Sequence, residues 1–133
     1  MNTENIKQQL RELRLHTAAG ELEEVLRHQK KTVSLDWFSA LLAREIDARR
    51  ERAVQSRIRR AEFPEVTSLE AFDWDFNPEI DRAAIEELAT LAFVDQNEIA
   101  LFLGKPGTGK THLALAIGVR AVYRGHRVFC TSV

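Results

Sequence analysis

The stretch of this 133-residue chain whose residues could do chemistry is Gly104 to Thr111, which reads G-K-P-G-T-G-K-T. It satisfies the pattern G-x-x-x-x-G-K-[ST], in which glycines let the backbone turn its N–H groups inward around phosphate oxygens. Lys110 would neutralise the β- and γ-phosphates of a nucleotide, and the Thr111 hydroxyl would supply one ligand to Mg²⁺. The predicted phosphate-binding residues are Gly104, Lys105, Pro106, Gly107, Thr108, Gly109, Lys110 and Thr111.

The elements on either side of this loop have the order that phosphate binding requires. An apolar strand is predicted over residues 98–103, a helix over 110–124 with Gly125 as its stop, and a second strand over 127–133. His112 is expected to be an ordinary residue of that helix. A helix beginning at the loop adds its unpaired N–H groups and the positive end of its dipole to the phosphate site. We therefore expect an α/β fold, with a helical N-terminal region followed by the first β-α-β unit of a parallel-sheet domain.

Helical periodicity fills the N-terminal half of the chain. Apolar residues recur at helical spacing on both sides of Thr17 and Gly20, which predicts two short helices with a break at that point. A third helix is expected from Leu35 to about Ala61. Pro64 would end it, because the residue before a proline is pushed out of the helical region.

Residues 66–80 are expected to form an extended linker. Phe72, Trp74 and Phe76 alternate with acidic residues there, as they would on a strand with one apolar face. Asn77 and Pro78 would then open a fourth helix. The chain is thus divided into a helical region, residues 1–65, the linker, residues 66–80, and the start of a nucleotide-binding domain, residues 81–133.

Charge is segregated along the chain, although the formal net charge is only −1. Residues 44–60 carry seven arginines against three acids, residues 62–98 carry eleven acids against one arginine, and all charged residues after Glu98 are basic. Arginines bind DNA phosphates without base readout, so the arginine-rich stretch could contact DNA. A solvated helix face with (i, i+4) ion pairs and a contact with the acidic stretch are the alternatives. The candidate DNA contacts are Arg49, Arg52, Arg59 and Arg60.

Composition predicts a soluble, globular, cytoplasmic protein. Hydrophobic residues make up 44% of the chain, which is ordinary for such proteins. No apolar run approaches the roughly 20 residues of a membrane-spanning helix, and the amphipathic start lacks the apolar core of a secretory signal. The single cysteine, Cys130, excludes an internal disulfide. No membrane partner is expected.

The loop has the form G-x-P-G-x-G-K-T, with Pro106 before Gly107, and so resembles the Walker A loop of the AAA+ ATPases. The wider sequence, from S-L-E-A-F-D-W at Ser68 to R-G-H-R-V at Arg124, resembles the IstB-like family of transposition helper ATPases. DnaC-type helicase loaders are close relatives of that family. The resemblance implies ATP and Mg²⁺ as cofactors, homo-oligomers assembled on DNA, and a transposase or, in the helicase-loader alternative, a replicative helicase as partner. It also implies that Phe76 and Asn77 lie near the adenine ring.

The resemblance implies further parts that do not occur in the sequence up to Val133. These are the acidic Walker B residues, a polar sensor and an arginine finger, so residues 1–133 are expected to be an N-terminal fragment. Negligible ATP hydrolysis is expected from them alone, because positioning and charge stabilisation supply nearly all of phosphoryl-transfer catalysis. Two other functions stay open. One is a phosphotransferase of the kinase type, and the other is an interaction or DNA-binding module without ATP turnover.

Overall fold

The structure is a computed structural model that describes residues 3–132. The chain forms two compact units, one up to Ala53 and one from Val54 onward. Between residues 3 and 132 the helices, in chain order, are α1 (Thr3–Glu12), α2 (His16–Arg27), α3 (Asp36–Ala61), α4 (Arg82–Leu88), α5 (Ala92–Asp95) and α6 (Lys110–Tyr123). None of these helices is both long and apolar enough to cross a membrane.

The first unit is built on the packing of α1 against α2. Its core contains Ile6 and Leu10 from α1, Ala19 from α2, and Leu42 from α3. Helices α1 and α2 confirm the prediction of two short N-terminal helices.

The predicted break between those helices is in the wrong place, because Thr17 and Gly20 both lie inside α2. The chain turns instead at Arg14, whose φ of 61° is left-handed. Backbone bonds from the Arg14 amide to Arg11 and from the Leu15 amide to Leu10 close the turn. A single glycine costs an interior helical position only about 1 kcal/mol, which the packing of α1 on α2 outweighs.

Helix α3 confirms the third predicted helix to within a residue at its start. It buries Leu42 and Ile46 in the first unit and continues into the second. It ends at Ala61, which is fully buried, and Glu62 follows in the left-handed region with a φ of 57°. The proline at position 64 therefore stands just beyond the end of the helix, as expected.

The α/β fold class is wrong for the part of the chain that the structure describes, since no strand is assigned between residues 3 and 132. Over residues 98–103 the side chains of Ile99, Leu101 and Leu103 are 86%, 79% and 87% exposed. A short apolar run predicts a buried strand, but a strand also requires a neighbouring strand to which it can hydrogen-bond. The segments predicted as strands do not supply that partner to each other. In the second of them, Val133 lies outside the described residues.

Residues 66–80 form successive turns, so the extended backbone predicted for them is also wrong. The amides of Phe72, Phe76 and Ile80 donate to carbonyls three residues earlier, at distances of 3.1–3.2 Å. The turns separate the aromatic residues, because Phe72 is buried whereas Phe76 is 61% exposed. The alternation of aromatic and acidic residues therefore does not indicate a strand in this segment.

The fourth predicted helix begins later than expected and is short. Asn77 holds a turn by accepting the Glu79 amide at 3.1 Å, and it does not cap a helix. Helix α4 is capped by Asp81, whose carboxylate accepts the Ala84 amide at 3.2 Å. Leu91 then adopts a left-handed φ of 65°, which separates α4 from α5.

Helix α6 is the most deeply buried helix of the second unit. Leu113, Ala116 and Ile117 pack with Phe72 and other residues of a shared core. The helix ends at Tyr123, and Gly125, the predicted stop, follows just beyond its end with a φ of 93°. The Gly125 amide donates to Val122 and the following amide donates to Ala121, each at 3.0 Å, which satisfies the last carbonyls of the helix.

The two interior helical glycines have opposite surroundings and should respond oppositely to substitution. A Cβ added at Gly118 would lie 3.0 Å from Cε1 of Phe63, whereas nothing lies within 4 Å of one added at Gly20. We expect Gly118→Val to lower the free energy of unfolding by about 1–3 kcal/mol, because the Phe63 ring must move. The control Gly20→Ala should raise it by about 0.4–1 kcal/mol. Urea unfolding measures both, and a neutral Gly118→Val would contradict the packing described.

The ion pair between α1 and α2 should be visible in one titration. Lys7 donates to Oε1 of Glu23 at 2.6 Å, and this bond and the lysine charge hold the Glu23 pKa below its ordinary value. Lys7→Met should therefore raise that pKa, and Arg27→Gln, the control, should raise it less. Because the pKa is depressed on folding, the pair stabilises the unit at neutral pH and ceases to do so as pH falls through the folded-state pKa. Side-chain NMR titration checks this, and an unchanged pKa in Lys7→Met would refute it.

Candidate functional site

The glycine-rich loop, residues 104–111, has backbone angles that only glycine adopts readily. Gly107 and Gly109 have φ of 78° and 93°. Gly109 is also the N-cap of α6, so the loop runs directly into the first turn of that helix. The first amide groups of a helix have no partner within it, and they attract anions. The backbone at this point thus has the conformation and the free donors that phosphate binding needs.

Lys110 lies folded over the loop that precedes it. Its ammonium group donates to the carbonyl of Gly104 and, at 3.2 Å, to that of Lys105. The Thr108 hydroxyl also donates to the Lys105 carbonyl, at 2.9 Å. A Cβ at Gly104 would lie 3.3 Å from the Thr108 hydroxyl and 3.5 Å from Cδ of Lys110, so glycine leaves room for this arrangement. These bonds hold a positive charge at the loop, where an anionic ligand would meet it.

The remaining loop residues are open to solvent. Lys105, Pro106 and Thr111 are exposed. The Thr111 hydroxyl makes no hydrogen bond with any residue from 3 to 132, so it is available to a metal ion held by phosphates. In the same part of the chain no group of three or more His, Cys, Asp or Glu residues could hold a metal ion.

A contact between Phe72 and Gly109, which the sequence did not reveal, supports the loop on its core-facing side. The Phe72 ring packs against the bare Cα of Gly109, and a Cβ built there would lie 2.9 Å from Cε2 of the ring. That ring also packs at steep interplanar angles of 75° and 63° against Trp74 and His112, with centroids 5.0 and 5.2 Å away. The aromatic spacing at 72 and 74 was visible in the sequence, but nothing in it indicated that Phe72 meets a glycine 37 positions later.

His112 has a structural role beyond that of an ordinary helix residue. Its Nε2 lies 2.8 Å from the Thr67 hydroxyl and 3.2 Å from the Ser68 carbonyl. When Nε2 carries the proton it donates to the Ser68 carbonyl or to the Thr67 hydroxyl, and when it does not it accepts from the Thr67 hydroxyl. In either case the first turn of α6 is tied to the segment that also carries Phe72.

Two clefts of the second unit lie along these elements. The smaller one, of about 510 Å³, is lined by Gly104, Lys105 and Lys110 of the loop and by Asn77. Phe76, the other residue expected near an adenine ring, does not line it. A larger cleft, of about 790 Å³, is lined by residues 65–71 and by residues of α6 from His112 onward. No residue of the glycine-rich loop lines it. The smaller cleft is therefore the one that adjoins the candidate phosphate site.

The four candidate DNA-binding arginines differ in how far they are already paired. Arg49 and Arg52 share Glu45, at 3.0 and 3.5 Å, and Arg49 also donates to the Leu13 carbonyl. Arg59 and Arg60 are exposed and form no ion pair with residues 3–132. The alternative of (i, i+4) pairing therefore accounts for Arg49. Arg52 reaches the same carboxylate from seven positions along the helix, and Arg59 and Arg60 keep their charge available.

Comparison with known proteins identifies relatives over most of the chain. The family described as "IstB-like ATP binding protein" matches residues 8–133. An insertion sequence IS21 putative ATP-binding protein of Pseudomonas aeruginosa is 48% identical over 93 residues, 70% of this chain and 35% of the relative. An insertion sequence IS5376 putative ATP-binding protein of Geobacillus stearothermophilus is 42% identical over 94 residues, 71% of this chain and 38% of the relative.

A more distant relative covers more of the chain. An insertion sequence IS21-like putative ATP-binding protein of Bacteroides fragilis is 30% identical over 125 residues, 92% of this chain and 48% of the relative. The chain thus spans between about a third and a half of the length of these three relatives. The family match extends over nearly the whole chain and includes every residue of the glycine-rich loop. The chain belongs to the family of IstB-like ATP binding proteins.

Proposed function

We propose that this chain binds ATP through the glycine-rich loop. The observation that carries the proposal is the left-handed Gly109 at the N-cap of α6, with the Lys110 ammonium group beside it. Backbone N–H groups of the loop would hold the phosphate oxygens, and Lys110 would exchange its carbonyl acceptors for the β- and γ-phosphates. Membership of an ATP-binding family supports the identity of the nucleotide. The cleft beside the loop, which Asn77 lines, has room for the base.

Mg²⁺ would accompany the nucleotide. When bound, the ion neutralises developing charge on the β- and γ-phosphates. In this chain the Thr111 hydroxyl would be its protein ligand, because that hydroxyl is exposed beside the loop and has no partner among residues 3–132. The chain's own contribution is therefore to bind and orient the triphosphate.

The wider role that we propose is assistance to DNA transposition in the cytoplasm. The relatives are named as ATP-binding proteins of insertion sequences, which supports this role over that of a helicase loader. On this proposal the protein assembles on DNA as an ATP-dependent homo-oligomer and recruits a transposase.

The DNA contact is proposed for the end of α3. Arg59 and Arg60 are exposed, adjacent and without ion pairs in the described part of the chain. Unpaired arginines release counterions when they meet phosphates, whereas arginines already bound to Glu45 must first give up that partner. Arg59 and Arg60 are therefore the stronger pair among the four candidates.

The ATP site is tested by Lys110→Ala. We expect this change to weaken binding of Mg²⁺-ATP at least tenfold in a calorimetric titration of the purified protein, because a charge-assisted contact to phosphate is lost. The control is Lys31→Ala, which removes the same charge from an exposed position in the other unit. Unchanged affinity in Lys110→Ala, or an equal loss in the control, would refute the site.

The DNA contact is tested by reversing two charges. The double change Arg59→Glu and Arg60→Glu should reduce binding to a labelled DNA duplex more than tenfold at low salt, measured by fluorescence anisotropy. It should also flatten the salt dependence by about one unit of slope for each lost phosphate contact. The control, Lys30→Glu with Lys31→Glu, makes the same change in net charge. If both doubles lose affinity equally, only bulk charge matters and the proposed contact is wrong.

A further inference from the structure

We propose that Phe72 is a positioning residue of the glycine-rich loop. Its ring fixes the left-handed backbone of Gly109 and thereby aims the amide groups at the start of α6 toward a phosphate. This inference rests on the proposed function, since it concerns how the same loop is prepared for ATP. Phe72 itself would not touch the nucleotide, because it belongs to the buried core of the second unit.

The contact between the ring and Gly109 is closer than a side chain at that position would permit. A Cβ at Gly109 would lie 2.9 Å from Cε2 and 3.0 Å from Cζ of Phe72, and real Cβ atoms almost never approach that closely. The ring therefore occupies the volume in which any other residue would carry its side chain. Glycine at position 109 is therefore required for two reasons: it adopts a φ of 93°, and it leaves the space that the Phe72 ring occupies.

The ring is held in turn by its neighbours. Trp74 packs against it at an interplanar angle of 75° and a centroid distance of 5.0 Å, and the Arg82 guanidinium covers Trp74 at 4.9 Å. The His112 ring lies 5.2 Å from it and is tied to Thr67 by a 2.8 Å bond. The ring cannot leave Gly109 without disturbing both neighbours.

The Phe72 ring contacts the loop on its buried side, opposite the side that faces solvent. Residues 104–107 are exposed and Gly109 is half-buried, whereas Phe72 is buried with Leu113 and Ala116 beneath them. The ring thus supports the loop from the core and leaves the opposite side open to a ligand. An unsupported glycine samples positive and negative φ about equally, so the loop would have to order itself when ATP binds, and affinity would fall.

The test compares Phe72→Leu and Phe72→Ala with Leu69→Ala, a truncation in the same core at a residue that lines the larger cleft and not the one beside the loop. Affinity for Mg²⁺-ATP is measured in the full chain, well below the thermal midpoint of every variant. We expect the Kd to rise several-fold in Phe72→Leu and at least tenfold in Phe72→Ala, and to stay unchanged in Leu69→Ala. In a Trp37→Phe background, where Trp74 is the remaining tryptophan of this sequence, saturating ATP should change Trp74 emission with Phe72 present and not in Phe72→Leu.

Each outcome separates this inference from the proposed function. If Lys110→Ala loses ATP binding while Phe72→Leu and Phe72→Ala keep the original Kd, the ATP site stands and the role of Phe72 is refuted. An undiminished Trp74 response in Phe72→Leu would also refute it, as would an equal loss of affinity in Leu69→Ala, which would mean a general effect of core packing. If the unaltered protein binds no ATP, the proposed function fails and this inference fails with it.

Discussion

The junction at Gly109, where the glycine-rich loop becomes helix α6, is the constraint on which the second unit depends. Its left-handed backbone lets the chain turn from the loop into the helix, and its missing side chain makes room for the Phe72 ring. On one side of this point α6 packs into the core, and on the other side Lys110 folds back over the loop. The core and the proposed phosphate site therefore meet at one residue without a side chain, and we expect a change there to affect both.

Local signals in the sequence were sufficient for α3, for α6 and for the glycine backbone of the loop. Periodicity and capping, which act over a few residues, predict the apolar stripe of α3 and its end before Pro64. They also predict the start of α6 at Lys110 and its stop before Gly125. The same holds for the positive φ of Gly107, since only glycine adopts it readily. These features depend only on residues nearby in the sequence, so they can be predicted from one sequence alone.

The strand prediction failed, and the packing contacts could not be predicted, because both depend on partners distant in the sequence. Residues 98–103 contain the apolar run of a buried strand, but Leu101 and Leu103 remain exposed and no ladder forms with any residue from 3 to 132. The contact of Phe72 with Gly109, and that of His112 with Thr67, join positions 37 and 45 residues apart and leave no periodic pattern. The ion pairs of the arginines were equally hidden, because a run of arginines in the sequence does not show which of them are paired with a carboxylate.

The central claim is that the glycine-rich loop receives the phosphates of ATP. Amide NMR spectra recorded during a titration with Mg²⁺-ATP test it most directly. The account predicts that the largest shifts fall on Gly107, Gly109 and Lys110, and that adenosine at the same concentration leaves these amides nearly unmoved. Shifts concentrated instead along the larger cleft, at residues 65–71, with the loop unchanged, would contradict it.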